Sequence, residues 1–284
     1  MGVEVICPLY NASKYVENLN NSIKKQKNVK IDKISYVLTR SNDNSEDILN
    51  QIGATYNIVE PEDFSHSKTR ETIALRSNSD VLVFITQDID IRADDWLEKL
   101  VNPIINGEVE ASFSRQLTKY DSIEKYTREK NYPPESYIVT KDDVQELGLR
   151  AFFFSDAASA VKTSIFKYLN GYDGKILPTN EDQYIAHKLV MHGYKIKYCA
   201  DSIVYHSHQF TLRQLYKRYY DTGVFYSMEP YMNNYGTTKT GGGLAKYVLK
   251  RAVQDKNLKV LVRFIPDMGV RFIGMKMGKK NGKK

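Results

Sequence analysis

The N-terminal part of the chain alternates short apolar runs with segments of helical periodicity. Each run has the length of a buried strand, and the segments between the runs repeat their apolar residues every three or four positions. The predicted strands are 3–9, 33–39, 54–59 and 80–86, and the predicted helices are 14–26, 45–52 and 67–77. Strands that alternate with helices predict βαβ units, and therefore a parallel sheet with helices on both faces.

The rest of the chain has a less regular pattern. Residues 118–150 are polar and irregular, which predicts a loop-rich excursion, and the spacing becomes helical again from Thr211 onward. Residues 240–243, with three consecutive glycines, predict a hinge before the C-terminal tail. The other predicted elements are a helix at 94–106, strands at 111–117 and 203–208, a strand-to-helix passage at 151–166, and a helix ending at Gly193 followed by a strand.

Polar side chains follow several of the predicted strands at the point where each strand ends. Ligands of parallel α/β sheets bind outside the carboxyl ends of the strands, so we expect these residues to share one edge. They are Pro8, Tyr10 and Asn11 after the first strand, Thr39 and Arg40 after the second, and residues 87–90 after the fourth.

Asp88 and Asp90 place two carboxylates one residue apart at the end of an apolar strand. If the strand persists through Asp90, both side chains point to the same face, where they repel each other unless a cation lies between them. Mg²⁺ prefers such oxygen ligands, and Mn²⁺ also accepts imidazole. The alternative is an ordinary turn, in which aspartate binds its own backbone.

Two further groups carry candidate chemistry. Glu181 and Asp182 begin a predicted helix, where acidic residues also favour the helix dipole without any catalytic role. His206 and His208 alternate on a predicted strand, so both side chains face the same side. A lone histidine is usually structural, whereas two at this spacing after an acidic pair suggest a site.

Charge is distributed unevenly along the chain. The net charge is +7, yet residues 244–284 contain 12 Lys or Arg against two acidic residues, so the basic excess belongs to the tail. Apolar residues interleave with these cations, which predicts either a helical appendage packed on the body or a segment that lies on an anionic membrane surface. Nucleic-acid binding is not expected, because no nucleic-acid recognition motif accompanies the charge.

The two cysteines, Cys7 and Cys199, lie in apolar runs and form no zinc or redox motif. This usage favours a reducing cytoplasm. The N-terminal apolar run is shorter than a signal peptide needs, and no apolar stretch approaches the length of a membrane-spanning helix. We therefore expect a cytoplasmic protein, peripheral at the inner face of the cell membrane if the tail binds lipid.

An ordered set of motifs over residues 3–225 resembles family 2 glycosyltransferases of the GT-A fold, and specifically their rhamnosyltransferase-like branch. The opening VICPLYN is similar to the family's Pro-x-Tyr-Asn, and SNDNS to its Ser-Thr-Asp-Gly-Thr. The branch has a His-x-x-x-Arg helix leading into Thr-Gln-Asp, as in FSHSKTRETIALRSNSDVLVFITQD. The remaining matches are SRQL with NYPPES, LNGYDGK, NEDQYIAHKLVMHGYKIKY and VYHSH.

The resemblance implies an α/β fold of the GT-A type, with a Rossmann-like, mostly parallel sheet covered by helices on both faces. It implies a glycosyltransferase domain at 1–225, with a nucleotide-binding half at about 1–115 and an acceptor half at about 116–225. Residues 226–284 would form a basic amphipathic helical appendage.

The resemblance also assigns roles to matching residues. Thr39 departs from the pattern, because the family usually has an aspartate at the end of the second strand that contacts the base or ribose. Thr39 can still hydrogen-bond a base edge, while the identity of the base stays open. The implied nucleotide-binding residues are Pro8, Tyr10, Asn11, Thr39, Arg70, Gln87 and Asp88; the implied metal ligands are Asp88, Asp90 and His206 or His208; and the implied general base is Asp182, with Glu181 as its neighbour.

The implied activity is an inverting, Mn²⁺- or Mg²⁺-dependent transfer of L-rhamnose from dTDP-rhamnose to a hydroxyl of a lipid-linked surface polysaccharide precursor. The expected partners are a nucleotide-sugar donor, a glycan or polyprenyl-linked acceptor and an anionic membrane surface. Two alternatives remain: a UDP-hexose-dependent enzyme of the same fold, and a catalytically silent assembly subunit that binds sugar nucleotides.

Overall fold

The computed structural model describes residues 1–282, with side chains for all of them except 237–240. In this range, eight strands form one sheet and eleven α-helices surround it. The strands are β1 Gly2–Leu9, β2 Lys30–Thr39, β3 Tyr56–Val59, β4 Val81–Ile85, β5 Ala111–Leu117, β6 Tyr137–Val139, β7 Ala158–Lys162 and β8 Ile196–Tyr205. The helices are α1 Val16–Lys24, α2 Ser45–Gln51, α3 His66–Ala74, α4 Trp96–Ile105, α5 Ile123–Asn131, α6 Val144–Leu147, α7 Thr163–Tyr168, α8 Glu181–Met191, α9 Leu212–Met228, α10 Thr237–Gln254 and α11 Leu258–Asn281.

The sheet has the strand order β3-β2-β1-β4-β7-β5-β8-β6. Strand β1 runs parallel to β2 and β4, β2 runs parallel to β3, and β5 runs parallel to β8. Strands β7 and β6 run in the opposite direction to their neighbours. Six strands therefore share one direction, and their carboxyl ends lie along one edge, which confirms the predicted α/β sheet.

Two hydrophobic cores cover the two faces of the sheet. In β4, Val81, Val83 and Ile85 pack in one core and Leu82 and Phe84 pack in the other. A strand buried on both faces needs apolar residues at every position, which explains its unbroken apolar run. Each such side chain contributes about 1.5–3 kcal/mol of burial, so the strand is a rigid base for the loop that follows it.

Residues 203–208 do not form a separate strand as predicted, because one continuous strand, β8, runs from Ile196 to Tyr205 and ends before His206. Two further sequence predictions about secondary structure are also wrong. Residues 118–150 contain α5, β6 and α6 and are not mainly loop, because Ile123 and Tyr126 of α5 are buried against Val248 and Val260 of the C-terminal helices. Residues 240–243 lie inside α10, so the predicted hinge is a continuous helix. In both cases contacts with distant segments override weak local signals.

Helix α11 packs along α9 through glycines that allow close backbone contact. A Cβ atom at Gly278 would lie 2.0 Å from the carbonyl oxygen of Tyr220, and one at Gly274 would lie 2.6 Å from that of Tyr216. The predicted C-terminal helical appendage is therefore present and docked on the domain, although residues 283 and 284 lie outside the described part. The predicted boundary between residues 225 and 226 falls within α9. Among the described helices, none is long and apolar enough to cross a membrane.

Candidate active site

The loop after β4 carries the first acidic group of the site. Strand β4 ends at Ile85 and residues 87 and 88 form a turn, so the strand does not persist through Asp90 and the turn alternative is the one observed. The Asp88 carboxylate faces two imidazoles: Oδ1 lies 3.5 Å from Nε2 of His206, and Oδ2 lies 3.4 Å from Nδ1 of His208. These three side chains can present ligand atoms that all lie within 4.8 Å of one another.

The hydrogen bonds around His206 determine which ring nitrogen carries the proton. Gln116 donates its amide to Ser155 over 2.8 Å, so its Oε1 atom faces Nδ1 of His206 at 2.9 Å. Arg128 also lies 3.4 Å from Nδ1, but it donates to the same Gln116 oxygen, which confirms that this atom is the acceptor. In the neutral ring Nδ1 is therefore the donor, and the lone pair of Nε2 points at Asp88.

The Asp88 carboxylate and the neutral His206 ring present lone pairs to each other over 3.5 Å, an arrangement that suits a cation held by both. Burial raises the pKa of Asp88. When His206 is protonated, however, its Nε2–H donates to Asp88, and this hydrogen bond and its charge, with the charge of His208, outweigh burial and bring the pKa of Asp88 below its ordinary value. Burial, followed by the charge of His206, lowers the pKa of His208 to about 4. An ionised carboxylate beside a neutral imidazole is the form in which these groups ligate metals.

Asp90 lies outside this cluster. Its carboxylate accepts from Lys119 at 2.7 Å and from Arg92 at 3.1 Å. Its backbone exchanges two hydrogen bonds with Tyr205, of 2.9 and 3.0 Å. This pairing fastens the turn of Asp88 to the end of β8, one residue before His206, and so brings the cluster together.

The loop after β1 is held from several directions. Gln87 accepts from the Tyr10 N–H over 2.7 Å and donates to the Tyr10 carbonyl over 2.9 Å. Asn11 has φ +48°, a left-handed conformation that asparagine tolerates better than most residues. Asp43 accepts from the Ser13 N–H over 3.0 Å. Burial raises the pKa of Asp43, but hydrogen bonds from surrounding serines and backbone outweigh this and lower it below its ordinary range.

Pro8 and Thr39 flank this loop at the sheet edge. Pro8 lies within β1 beside Val37 of β2, and Thr39 is the last residue of β2. Thr39 is 3% exposed, and its Oγ1 atom has no hydrogen-bond partner among the described residues. A buried hydroxyl without a partner is unfavourable, so the hydrogen-bonding capacity of this atom is unused among the described residues.

The second acidic group begins α8. Arg70 of α3 is 2% exposed and donates from Nη1 to Glu181 Oε1 at 3.1 Å. Asp156 is buried nearby and accepts from Tyr172 over 2.7 Å. Arg70 is therefore paired with Glu181 and lies within electrostatic range of Asp156, a pairing that its place in the sequence did not reveal.

Asp182 has the most perturbed carboxyl of this group. Its Oδ1 atom accepts the N–H of Gln183 over 2.7 Å. Burial raises its pKa well above the ordinary value, and the charges of Glu181 and Asp156 raise it further, against a smaller lowering by that hydrogen bond and by Arg70. A raised pKa makes a stronger base, and such perturbed groups concentrate at functional sites.

The two acidic groups lie within electrostatic range of neighbouring buried side chains. Burial raises the pKa of the Cys7 thiol, and Arg70 and Asp88 then act on it in opposite directions. Burial likewise raises the pKa of Tyr132, which Arg128 lowers and Asp182 raises. Asp88 and Arg70 thus both influence the pKa of Cys7, and Arg128 and Asp182 both influence the pKa of Tyr132. Sequence reasoning assigned no role to Gln116 or Arg128, and only SRQL, which contains Gln116, gave a signal. Ser155 and Asp156 were expected either as a sugar-facing polar pair or as an ordinary turn, and the structure buries Asp156.

The strand order, with the Asp–His cluster beyond the strand ends, is that of a glycosyltransferase of the GT-A fold. The sequence model of Glycosyl transferase family 2 matches residues 4–169, and the chain belongs to that family. It is 31% identical to the O-antigen chain rhamnosyltransferase RfbN of Salmonella typhimurium, over 98% of this chain and 90% of that protein. It is 32% identical to the O-antigen chain rhamnosyltransferase WbaN of Salmonella anatum, over 83% and 77%. The chain is thus a rhamnosyltransferase-like glycosyltransferase.

Solved structures agree on the fold. TarS 1-349 of S. aureus, in complex with UDP-GlcNAc, aligns with a TM-score of 0.61 at 15% identity, over 99% of this chain and 92% of that chain. The mannosyltransferase PcManGT from Pyrobaculum calidifontis, in complex with GDP-Man and Mn2+, aligns with a TM-score of 0.61 at 16% identity, over 98% and 84%.

Proposed function

We propose that the chain is an inverting, divalent-cation-dependent rhamnosyltransferase that moves L-rhamnose from dTDP-rhamnose to a hydroxyl of a lipid-linked surface polysaccharide precursor. The observation that carries this proposal is the cluster of Asp88, His206 and His208 with the high-pKa carboxyl of Asp182 in the same region. The choice of rhamnose and of a surface glycan is supported by the two O-antigen chain relatives.

Asp88, His206 and His208 would hold the cation, and their chemistry fits one. Two imidazoles beside one carboxylate suit Mn²⁺ better than Mg²⁺, which prefers oxygen ligands throughout. Asp90 would not ligate the cation directly, since its carboxylate forms ion pairs with Lys119 and Arg92. When bound, the cation neutralises charge on the departing diphosphate.

Asp182 would take the proton of the acceptor hydroxyl as that oxygen attacks the anomeric carbon. Its raised pKa increases its strength as a base, and the neighbouring Glu181 contributes electrostatically to that increase. Arg70 holds Glu181 in place, so its contribution to catalysis would be to position the acidic pair. A single displacement with one base inverts the anomeric configuration.

Tyr10, Asn11 and Gln87 would form the nucleoside loop, with Pro8 at its start. The unpartnered Thr39 hydroxyl would accept or donate a hydrogen bond at the edge of the base. Thymine and uracil share that edge apart from a methyl group, and Thr39 replaces the family's usual aspartate. A UDP-hexose donor is therefore the second candidate.

The outer face of α11 would attach the protein to an anionic membrane. Val262 and Ile265 are 80% and 78% exposed, and Leu258 and Phe272 extend the same apolar face. The neighbouring cations include Lys276, and each basic residue near such a surface contributes about 1 kcal/mol. Apolar insertion with basic flanks is typical of helices that lie in the membrane interface. The enzyme would then work at the inner face of the cell membrane, where a lipid-linked acceptor is accessible.

Donor turnover tests the proposal. Hydrolysis of dTDP-rhamnose and of several UDP-hexoses should be measured with Mn²⁺, with Mg²⁺ and after chelation, using wild type, Asp88→Asn and the surface control Asp142→Asn. We expect cation-dependent turnover of dTDP-rhamnose that only Asp88→Asn abolishes. Faster turnover of a UDP-hexose would select the second candidate, and no turnover of any donor would favour a silent assembly subunit.

Sugar transfer to the acceptor tests the assignment of Asp182 as the general base. Asp182→Asn should abolish transfer to the acceptor and leave the dissociation constant of dTDP nearly unchanged. Loss of nucleotide binding along with transfer would show that Asp182 is misassigned.

A further inference from the structure

A cavity adjoins the candidate metal cluster of Asp88, His206 and His208. It has a volume of about 510 Å³ and lies between residues 119–124, residues 208–211 and α11. This volume falls within the range of about 300–1,000 Å³ that small-molecule sites occupy. His208 lines the cavity and also belongs to the metal cluster, so the two sites are contiguous.

The position of the cavity in the fold assigns it to the acceptor half. Residues 119–124 follow β5, and residues 208–211 follow β8, whereas the nucleoside loop follows β1 at the other side of the sheet. Arg263 of α11 donates to the carbonyl oxygen of Phe210 over 2.5 Å, which closes the outer wall. A ligand in this cavity would lie beside the donor diphosphate and outside the nucleoside pocket.

The charges on its walls are mixed. Four cationic side chains and three carboxylates line the cavity, and most are already paired. Arg271 binds Asp267, and Glu124 binds Arg128 outside the cavity. A phosphate dianion would meet these carboxylates and gain little from cations that are already neutralised. Sugar hydroxyls both donate and accept, so they suit donors and carboxylates on the same wall.

Aromatic side chains complete the lining. Tyr120 is 40% exposed at the rim, and Phe210 packs with its ring centroid 4.8 Å from that of His208. Each ring offers an apolar surface for the C–H face of a pyranose, while the polar groups reach its hydroxyls. Apolar faces with a few convergent polar groups are the usual composition of a specific small-molecule site.

We propose that this cavity binds sugar units of the acceptor glycan that lie next to the unit receiving the transfer. The inference rests on the proposed glycosyltransferase reaction and adds that the acceptor is an oligosaccharide of at least two units. Tyr120 and Lys259 are recognition residues at the rim and take no part in the transfer chemistry.

Saturation-transfer NMR tests the proposal with a panel of mono-, di- and trisaccharides of hexoses and 6-deoxyhexoses, with inorganic diphosphate as a separate probe. The cavity variant is Tyr120→Ala with Lys259→Ala. The matched control is Tyr168→Ala with Lys246→Ala, which removes the same side chains at exposed positions elsewhere.

We expect at least one di- or trisaccharide to bind wild type and the control, to bind better than its monosaccharide, and to bind the cavity variant at least tenfold more weakly. Donor hydrolysis should be equal in all three proteins, which separates failure here from failure of the proposed reaction. The proposal is overturned if no oligosaccharide binds wild type, if the cavity variant binds as well as the control, or if the cavity instead takes diphosphate.

Discussion

Gln87 binds the backbone of Tyr10 with both ends of its side-chain amide, over 2.7 and 2.9 Å. The pair is 77 residues apart in sequence and joins the loops that follow β1 and β4. Gln87 therefore fixes the nucleoside loop directly beside the turn that carries Asp88. One residue thus joins the loop that we propose holds the nucleoside to the turn that we propose lies beside the diphosphate.

Replacing Gln87 by Ala should weaken nucleotide binding. Two neutral hydrogen bonds contribute about 1 kcal/mol each, so we expect the dissociation constant of dTDP to rise by about tenfold or more. Calorimetric titration measures this, and Gln51→Ala, at an exposed position of α2, is the control. Unchanged affinity in Gln87→Ala would mean that the loop is held without this clamp.

Gln116→Leu should impair metal binding without removing a ligand. The amide orients His206 through its Nδ1 atom, and loss of such an outer partner typically lowers metal affinity by about 10–100-fold. Electron paramagnetic resonance of free Mn²⁺ measures the affinity, with Gln145→Leu on the surface as control. Equal affinities in both variants would remove Gln116 from the site.

Glu181→Gln should shift the pH profile of transfer. A base works when deprotonated, so the acid limb of kcat/KM reports the pKa of Asp182. Glu181 raises that pKa, and removing its charge should lower the pKa and move the acid limb to lower pH. Glu62→Gln, at an exposed position, should leave the limb in place. A shift to higher pH would contradict the assignment of Asp182 as the base.

Val262→Glu should release the protein from anionic vesicles. The change removes an exposed apolar side chain worth about 1.5–3 kcal/mol when buried in the interface, so binding should weaken by at least tenfold. Vesicle sedimentation measures this at several salt concentrations, because the electrostatic part is screened by salt. Ile176→Glu, at an exposed isoleucine outside α11, is the control. Equal binding to neutral and anionic vesicles would argue against a role for the basic residues.

The sequence by itself determined the main sheet and the order of the site motifs. Runs such as 81–85 are apolar at every position because both faces of the strand are buried, and this local signal does not depend on distant contacts. The carboxyl ends of parallel strands meet at one edge, so the placement of Asp88 beyond β4 followed from the same pattern.

Only the tertiary structure decided how the side chains are used. It brings both His206 and His208 to Asp88, turns Asp90 toward Lys119, and buries Arg70 against Glu181. It also builds α5 against α10 and α11, where local sequence suggested a loop. These outcomes depend on pairings between residues far apart in the chain, such as Asp90 with Tyr205, which strand order and register set and which no local periodicity encodes.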